Sequence, residues 1–298
     1  MILIAPGAHL AAMQTNGLRL IRPEGEERLK IPVVASPGDV DWRNDDVVLL
    51  TMKTQQTAAA LADLKVANPD AVVVCAQNGV ANERMTAEMF RQVFGIVVNL
   101  PAMHLVPGEV ITHAVGKGGI LDCGIYPLGI DSTVERIAFA SEKAGFSARP
   151  DPAVMRWKYA KLLTNLVNTA QALIGDVPAF VDIVQAARRE AVACYEACGV
   201  DFASASEVKE RNRNVYQMGN IPGISRSGGS TWQSLARGTG NVESDYLNGE
   251  IVRLGAQAGI PTPINATLLT VMNEAMASGV AAGAYGEQQL LARLGLTV

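Results

Sequence analysis

A strand, a helix and a second strand can be read directly from residues 47–76, which run VVLLTMKTQQTAAALADLKVANPDAVVVCA. Two short apolar runs, Val47 to Met52 and Ala71 to Ala76, are separated by the helix-forming stretch Gln55 to Leu64. Short β-branched runs that alternate with helical stretches are typical of a parallel sheet with crossover helices. The alternation continues to Arg149, so we expect an α/β domain.

Two prolines mark the end of this domain. The sequence Arg-Pro-Asp-Pro at 149–152 disfavours helix on the residue before each proline, and strand signals disappear beyond it. The remaining chain reads as amphipathic helices that are broken at glycines. We therefore predict a parallel-sheet α/β domain over 1–150 and an all-helical domain over 151–298.

A stripe of polar side chains lies on the first helix predicted for the second domain. Trp157, Lys161, Asn165 and Asn168 are spaced at i, i+4, i+8 and i+11, which places them on one helix face. The adjoining flank is formed by Leu162, Leu166, Thr169 and Leu173. Packing of that flank would hold the lysine rigidly. The alternative is an ordinary solvated face, because lysines are mostly exposed.

A carboxylate further along the chain is a second candidate for chemistry. Glu243 follows Asn241, an expected N-cap, and falls in the predicted first helical turn, where the helix dipole favours an anion. It is also in register with Leu247, Ile251 and Leu254, so we expect it at the top of a buried stripe. A partly buried carboxylate usually has a charged or hydrogen-bonding partner or a functional role. The alternative is a capping-turn glutamate.

Polar turns directly follow two of the predicted strands. One turn, residues 51–57, contains Lys53, and the other, residues 77–83, contains Asn78. In open parallel sheets, ligands bind at the carboxyl ends of the strands, so both turns are candidate binding loops. The alternative for Asn78 is a simple turn, since Asn-Gly is a favoured turn dipeptide.

The composition argues against several classes of function. The net charge is −4 and no Lys/Arg cluster is present, whereas nucleic-acid binding normally needs a basic stripe. The apolar runs are far shorter than the roughly 20 residues that span a bilayer. Four cysteines without a CxxC pair and three histidines do not form a zinc pattern. We expect a cytoplasmic protein without an export signal that binds a small molecule.

Taken in order, these segments resemble the ketopantoate reductase (2-dehydropantoate 2-reductase) family over nearly the whole chain. The resemblance rests on Lys53 in LLTMK, Asn78 in QNG, Lys161 and Asn165 in KLLTN, and Glu243 in ESDYLNG followed by GIPTP. It implies that a Rossmann-like sheet domain binds NADPH. It also implies that a helical domain, similar to the C-terminal domain of 6-phosphogluconate dehydrogenase, closes over a 2-keto acid.

The resemblance also implies a role for each candidate residue. Lys161 would be the general acid that protonates the carbonyl oxygen as hydride arrives, and Asn165 would support the substrate. Glu243 would accept a hydrogen bond from the substrate hydroxyl or the nicotinamide ribose. Asn78 would hold the nicotinamide end of the cofactor, and Lys53 its phosphate and ribose groups. The remaining substrate-binding residues would be Asn168 and Ser230 or Thr231, of which one of the last two would take the substrate carboxylate.

Three features depart from the family pattern. Residues 2–10 resemble the second strand of the family and its turn, so we expect that the first strand and its Gly-x-Gly-x-x-Gly loop are missing through truncation. Pro6 stands where an arginine usually pairs with the 2′-phosphate, which leaves NADH open beside NADPH. Asn168 lies seven residues after Lys161 instead of eight, and residues 232–235 lack the usual acidic residue.

Three functions therefore stay open from the sequence. They are reduction of ketopantoate, reduction of another 2-keto acid or an imine, and binding without catalysis by a protein that has lost its cofactor. The oligomeric state is also open, with a homodimer as one expectation. We further expect Glu243 to lie across the interdomain cleft from Lys161.

Overall fold

The chain forms two compact units. The computed structural model describes residues 1–175, 177, 179–224, 230–236 and 242–296. The first unit, called the sheet unit, comprises Met1–Asn78, Asn82–Met155 and Ser206–Arg226, and the second, called the helical unit, comprises Gly79–Ala81, Arg156–Ala205 and Ser227–Val298. The chain passes between the units close to the boundary predicted at residue 151. It also returns to the sheet unit after Ala205, which the sequence did not indicate.

The strands of the described residues all belong to the sheet unit. They are β1 (Leu3–Ile4), β2 (Leu18–Arg22), β3 (Gly25–Leu29), β4 (Val33–Val34), β5 (Val47–Leu50), β6 (Val72–Cys75), β7 (Gln92–Asn99), β8 (Ala102–Met103), β9 (Glu109–Thr112), β10 (Ala114–Gly116), β11 (Ile120–Ile125) and β12 (Tyr216–Met218).

Helices connect these strands and make up most of the helical unit. They are α1 (Gly7–Asn16), α2 (Thr57–Ala67), α3 (Ala81–Ala87), α4 (Ser132–Lys143), α5 (Val154–Asn165), α6 (Val167–Ile174), α7 (Phe180–Ala197), α8 (Ala205–Asn212), α9 (Ser230–Ala236), α10 (Asn248–Ala258), α11 (Pro263–Ala277) and α12 (Glu287–Leu294). Within the described residues, none of these helices has both the length and the apolar character needed to cross a membrane.

The main sheet has the order β11-β7-β6-β5, in which β5, β6 and β7 are parallel and β11 is antiparallel to β7. The predicted parallel sheet with crossover helices is thereby confirmed. The strands β1 and β4 pair in parallel with each other and form a separate two-stranded sheet. The parallel strands β1 and β4 therefore lie in a different sheet from β5, β6 and β7, and a third parallel pair, β2 with β9, lies in another sheet. A further sheet has the order β3-β2-β9-β8, and β10 pairs with β12.

Around β6 and β7, both faces of the main sheet are covered. On one face, Leu61 and Leu64 of α2 are buried against a cluster that includes Val73 and Val93. On the other face, Val134 of α4 packs into a cluster with neighbouring strand residues. This burial on two faces explains why β6 is an uninterrupted apolar run, as parallel strands usually are.

The helical unit is built around an apolar core between α6, α7, α11 and α12. The apolar flank predicted for the Lys161 helix is confirmed, because Leu162, Leu166, Thr169 and Leu173 are all fully buried. That helix is not continuous, however: α5 ends at Asn165 and α6 begins at Val167. The predicted polar stripe therefore crosses an interruption between Asn165 and Asn168.

A buried ion pair fastens the returning segment to the sheet unit. Arg211 of α8 donates two hydrogen bonds of 2.6 Å to the two carboxylate oxygens of Asp122 in β11. The side chains of Asp122 and Arg211 are only 2% and 12% exposed. A few residues later, β12 pairs antiparallel with β10, with Gly116 opposite Tyr216. Residues far apart in sequence thus complete one unit.

Candidate active site

The two predicted binding loops of the sheet unit are tied together by side-chain hydrogen bonds. Gln77 Nε2 donates to the carbonyl oxygen of Met52 at 2.9 Å and to Thr57 Oγ1 at 2.8 Å. The Thr57 hydroxyl donates in turn to Asn82 Oδ1 at 2.8 Å, and Asn82 Nδ2 donates to Thr54 Oγ1 at 3.2 Å. The turns after β5 and β6 therefore form one fixed edge. The sequence suggested both turns but not these bonds.

Asn78 carries an unsatisfied acceptor at this edge. Its Oδ1 is buried and has no hydrogen-bond partner in the protein, while its main-chain carbonyl accepts a bond from Asn82 Nδ2 at 3.1 Å. A buried acceptor without a donor costs roughly 1–3 kcal/mol, so an N–H group of a bound ligand would be stabilising here. A nicotinamide carboxamide offers such a group, which fits the predicted role of Asn78.

Lys53 and Pro6 are the two positions at which the sequence predicts an influence on the phosphate groups of a nucleotide. Lys53 lies at the carboxyl end of β5, immediately before the 3-10 turn Thr54–Gln56, where its ammonium could meet a phosphate or ribose. Pro6 is the N-cap of α1 and makes no side-chain capping bond. A proline has neither charge nor N–H donor, so it offers nothing to a 2′-phosphate. The residues present therefore fit a nicotinamide nucleotide without selecting between its two common forms.

In the helical unit, Lys161 is an amine whose proton is easily released. Burial, followed by the charge of Lys158, lowers the pKa of Lys161 to about 8, although the carboxylate of Glu243 raises it. Burial acts in this direction because it penalises the charged form, and an opposite charge restores it. This electrostatic interaction indicates that the two predicted reactive residues, Lys161 and Glu243, lie near each other. We expected these residues to lie on opposite sides of an interdomain cleft. That expectation is wrong, because both belong to the helical unit.

The local structure at Glu243 differs from the prediction. Its side chain is buried, but the residue precedes a 3-10 turn, Ser244–Tyr246, and α10 begins only at Asn248. The Glu243 carbonyl oxygen accepts the N–H groups of Tyr246 and Leu247 at 2.9 and 3.0 Å, which closes that turn. Glu243 is therefore not in the first turn of α10. Asn241, the expected N-cap, lies outside the described residues.

Below Glu243, the predicted apolar stripe is confirmed. Leu247, Ile251 and Leu254 are all buried. The position of Glu243 at the top of this stripe rested on continuous helical register, which the 3-10 turn Ser244–Tyr246 interrupts.

Two further predicted residues present buried polar atoms without partners. Asn165 is 9% exposed, and its Nδ2 has no hydrogen-bond partner in the protein. Thr231 of α9 is 2% exposed, and its Oγ1 is likewise unpartnered. Both groups can donate to oxygen atoms of a substrate. The side chain of Ser230 lies outside the described residues, and Asn168 is partly exposed.

Thr169 makes buried hydrogen bonds next to Glu243 that the sequence analysis missed. It lies eight residues after Lys161, and its hydroxyl donates to Asn248 Oδ1 at 2.6 Å and approaches Ser244 Oγ at 3.2 Å. The sequence assigned Thr169 to the apolar flank, and it is indeed fully buried. The one signal in the sequence was the spacing of Asn168, which lies seven residues after Lys161 whereas the resemblance implies an amide at eight.

These features are those of a nicotinamide-dependent oxidoreductase. The sheet unit has two hydrogen-bonded polar turns at the carboxyl edge of its parallel strands, and the helical unit contains Lys161, an amine of lowered pKa that interacts electrostatically with the carboxylate of Glu243. Two family models match the chain in succession: Ketopantoate reductase PanE/ApbA over residues 1–124 and Ketopantoate reductase PanE/ApbA C terminal over residues 153–276. The chain belongs to the ketopantoate reductase family.

Individual relatives agree with this assignment. The chain is similar to proteins named 2-dehydropantoate 2-reductase from Archaeoglobus fulgidus, with 29% identity over 91% of this chain and 88% of the relative, and from Pyrococcus horikoshii, with 25% identity over 88% and 85%. A PanE/ApbA family ketopantoate reductase from Ralstonia eutropha JMP134 superimposes with a TM-score of 0.77 at 27% identity, covering 93% of this chain and 91% of the other. D-mandelate dehydrogenase with NADH and anilino(oxo)acetate shares the fold, with a TM-score of 0.76 at 20% identity over 93% and 91%.

Proposed function

We propose that this protein catalyses the NADPH-dependent reduction of 2-dehydropantoate to pantoate in pantothenate biosynthesis. The observation that carries the proposal is Lys161, an amine with a pKa of about 8 beside Glu243. A general acid works best when its pKa lies near the operating pH. Family membership gives the reaction class, and the unpartnered donors of Asn165 and Thr231 offer contacts for a small oxygen-rich substrate.

In the proposed reduction, four side chains share proton transfer and substrate orientation. Bound nicotinamide nucleotide supplies the hydride. Lys161 Nζ donates a proton to the substrate carbonyl oxygen and stabilises the negative charge that develops there. Glu243 keeps the lysine charged until transfer and accepts a hydrogen bond from the new hydroxyl. Asn165 Nδ2 and Thr231 Oγ1 orient the keto acid by donating to its oxygen atoms.

A substrate panel tests this proposal. We expect NADPH oxidation to be fastest with 2-dehydropantoate, compared by kcat/KM with pyruvate, 2-ketoisovalerate, phenylglyoxylate and a cyclic imine, each with NADPH and with NADH. A tenfold or greater preference for another substrate would replace the proposed one, and the departures at Thr169 and residues 232–235 favour this second candidate. Binding of the nucleotide in titration calorimetry, with no oxidation of any panel member, would instead support the non-catalytic alternative.

The separation of strands β1 and β4 from the parallel strands of the main sheet leads to a prediction about cofactor affinity. Ile4 of β1 and Leu49 of β5 are exposed large apolar residues, although parallel strands are usually covered. We propose that a strand, a Gly-x-Gly-x-x-Gly loop and a helix complete this region, because a helix N-terminus binds pyrophosphate. A version extended before Met1 by such a unit should bind NADPH at least about tenfold more tightly in titration calorimetry. Equal affinity of the two forms would show that the unit is dispensable.

A further inference from the structure

A chain of buried polar side chains runs through the helical unit. Thr169 Oγ1 donates to Asn248 Oδ1 at 2.6 Å, and Asn248 Nδ2 donates to Asn265 Oδ1 at 2.9 Å. Ser244 Oγ lies 3.2 Å from the Thr169 hydroxyl. All four side chains are fully buried. We call these residues the threonine–asparagine network.

The far end of the network is fixed by a charged group. Asn265 Nδ2 donates to Glu190 Oε2 at 2.7 Å and to the carbonyl oxygen of Ala187 at 3.0 Å. The Glu190 carboxylate also accepts the main-chain N–H groups of Ile264 and Asn265 at 2.7 and 2.9 Å. A carboxylate is favourable at the start of a helix such as α11. The network is therefore anchored on α7 and α11 and has little freedom to shift.

The near end of the network joins the two elements that carry Lys161 and Glu243. Thr169 lies on α6, which follows α5 after a single intervening residue. Ser244 directly follows Glu243, and Asn248 begins α10 immediately after the same 3-10 turn. The Thr169 hydroxyl thus bonds α6, the helix that directly follows the lysine-bearing α5, to both ends of the glutamate-bearing turn.

Stability alone does not require this arrangement. Buried polar groups that satisfy one another can often be replaced by apolar groups of similar shape with little net loss. A satisfied polar network does, however, hold its members in one arrangement, because any other leaves donors or acceptors unpaired in a medium of low dielectric. Such a network is therefore suited to fixing a geometry.

We propose that Thr169, through Asn248 and Ser244, is a positioning residue that sets the Glu243 carboxylate against the Lys161 amine. The proposal rests on the proposed function in one respect, namely that this pair is the reactive one. In this role, Thr169 does not need to contact the substrate or the cofactor. It acts by keeping the glutamate-bearing turn in register with the lysine-bearing helix.

Isosteric variants of Thr169 provide the first test. Thr169→Val keeps the shape and removes the hydroxyl, and it should lower kcat/KM about tenfold or more, chiefly through kcat, because small displacements of catalytic groups are costly. Thr169→Ser keeps the hydroxyl and should restore most of the activity. The matched control is Thr270→Val on α11, where an exposed hydroxyl bonds only the Ala266 carbonyl of its own helix. It should behave like the unchanged protein.

A double-mutant cycle separates positioning from general structure. If Thr169 acts through Glu243, then Thr169→Val should cause no further loss of kcat/KM in a protein that already carries Glu243→Gln. Additive losses would show that Thr169 supports the fold or the substrate independently, and they would overturn the proposal. Thermal unfolding of each variant confirms that the comparison is made between folded proteins.

A readout that does not depend on activity completes the test. The pKa of Lys161 can be followed by NMR with labelled lysine, its signal being assigned by loss in Lys161→Ala. Since Glu243 raises this pKa, Glu243→Gln should lower it, and Thr169→Val should shift it in the same direction while Thr169→Ser and Thr270→Val leave it in place. An unchanged value in Thr169→Val would contradict the proposal. If instead the shift occurs but no panel substrate is reduced, the proposed function fails and the positioning role stands.

Discussion

Replacement of Lys161 by alanine should lower kcat for keto-acid reduction by about 10²-fold or more, which is the usual size of a general-acid contribution. Alanine favours helix, so α5 should remain folded and the loss should be chemical. Steady-state kinetics with NADPH and the best panel substrate measure the effect. The matched control is Lys143→Ala, which removes an exposed lysine from the last turn of α4 in the sheet unit. A rate near that of the unchanged protein would show that the proton comes from another group.

The pH dependence follows from the same residue. Burial lowers the pKa of Lys161 to about 8, and the amine can donate a proton only while it is charged. The rate of reduction should therefore be highest below pH 8 and fall about tenfold per pH unit above it. Oxidation of the hydroxy acid, which needs the neutral amine, should show the opposite trend. A reduction rate that is flat from pH 6 to 10 would contradict the assignment.

An arginine variant separates the charge of Lys161 from its proton transfer. Arginine remains protonated throughout the accessible pH range, so Lys161→Arg should be slow but should lose the decrease above pH 8. Glu243→Gln should move that decrease to lower pH, because the carboxylate raises the lysine pKa. Together these profiles distinguish a proton donor from a group that only attracts the substrate.

The local parts of the site could be predicted from the sequence because they depend on helical periodicity. The burial of Leu162 and Leu173 beside Lys161, and of Ile251 below Glu243, follows from the spacing of apolar residues along single helices. Asn78 could be predicted for a similar reason, since its turn follows a short apolar strand. Each of these inferences needs only a few neighbouring residues.

The parts that escaped prediction depend on partners distant in sequence. The hydroxyl of Thr169 meets groups 75 and 79 residues away, and a buried threonine on an apolar flank gives no local sign of such bonds. The turn at Glu243 was predicted as helix because its apolar register continues through Leu247, yet the helix begins only at Asn248. Hydrophobic spacing alone does not separate a 3-10 turn from the helix that follows it.

The return of residues 206–226 to the sheet unit is the largest difference from the expected organisation. From the sequence alone, all of residues 151–298 were assigned to amphipathic helices of one helical domain, with no sign that this segment leaves it. Two long-range attachments hold the segment there, the ion pair of Arg211 with Asp122 across 89 residues and the pairing of β12 with β10. Nothing in the local sequence distinguishes Arg211, in the last turn of α8, from Arg213, which lies just beyond the helix and forms an exposed bridge to Glu210.

Removal of Arg211 should therefore destabilise the sheet unit strongly. Arg211→Ala leaves the carboxylate of Asp122, which is 2% exposed, without its bidentate partner, and breaking a buried pair in this way typically costs about 3–5 kcal/mol. Arg149 lies nearby, with its Nε 3.5 Å from Asp122 Oδ2, and should recover only a fraction of that loss. Denaturant unfolding, together with hydrogen exchange of the amides in β10, β11 and β12, measures the effect.

Arg213→Ala is the matched control for this change, because it removes an arginine two residues away whose ion pair is mostly exposed. Exposed pairs contribute at most about 1 kcal/mol, so the control should unfold almost like the unchanged protein. In the double variant Asp122→Asn, Arg211→Met, the unpaired charge is absent, and part of the lost stability should return. Equal effects of Arg211→Ala and Arg213→Ala would mean that the pairing of β10 with β12 holds the segment without the ion pair. Faster exchange confined to β10 and β12 in Arg211→Ala would instead show that the buried pair is what docks residues 206–226 onto the sheet unit.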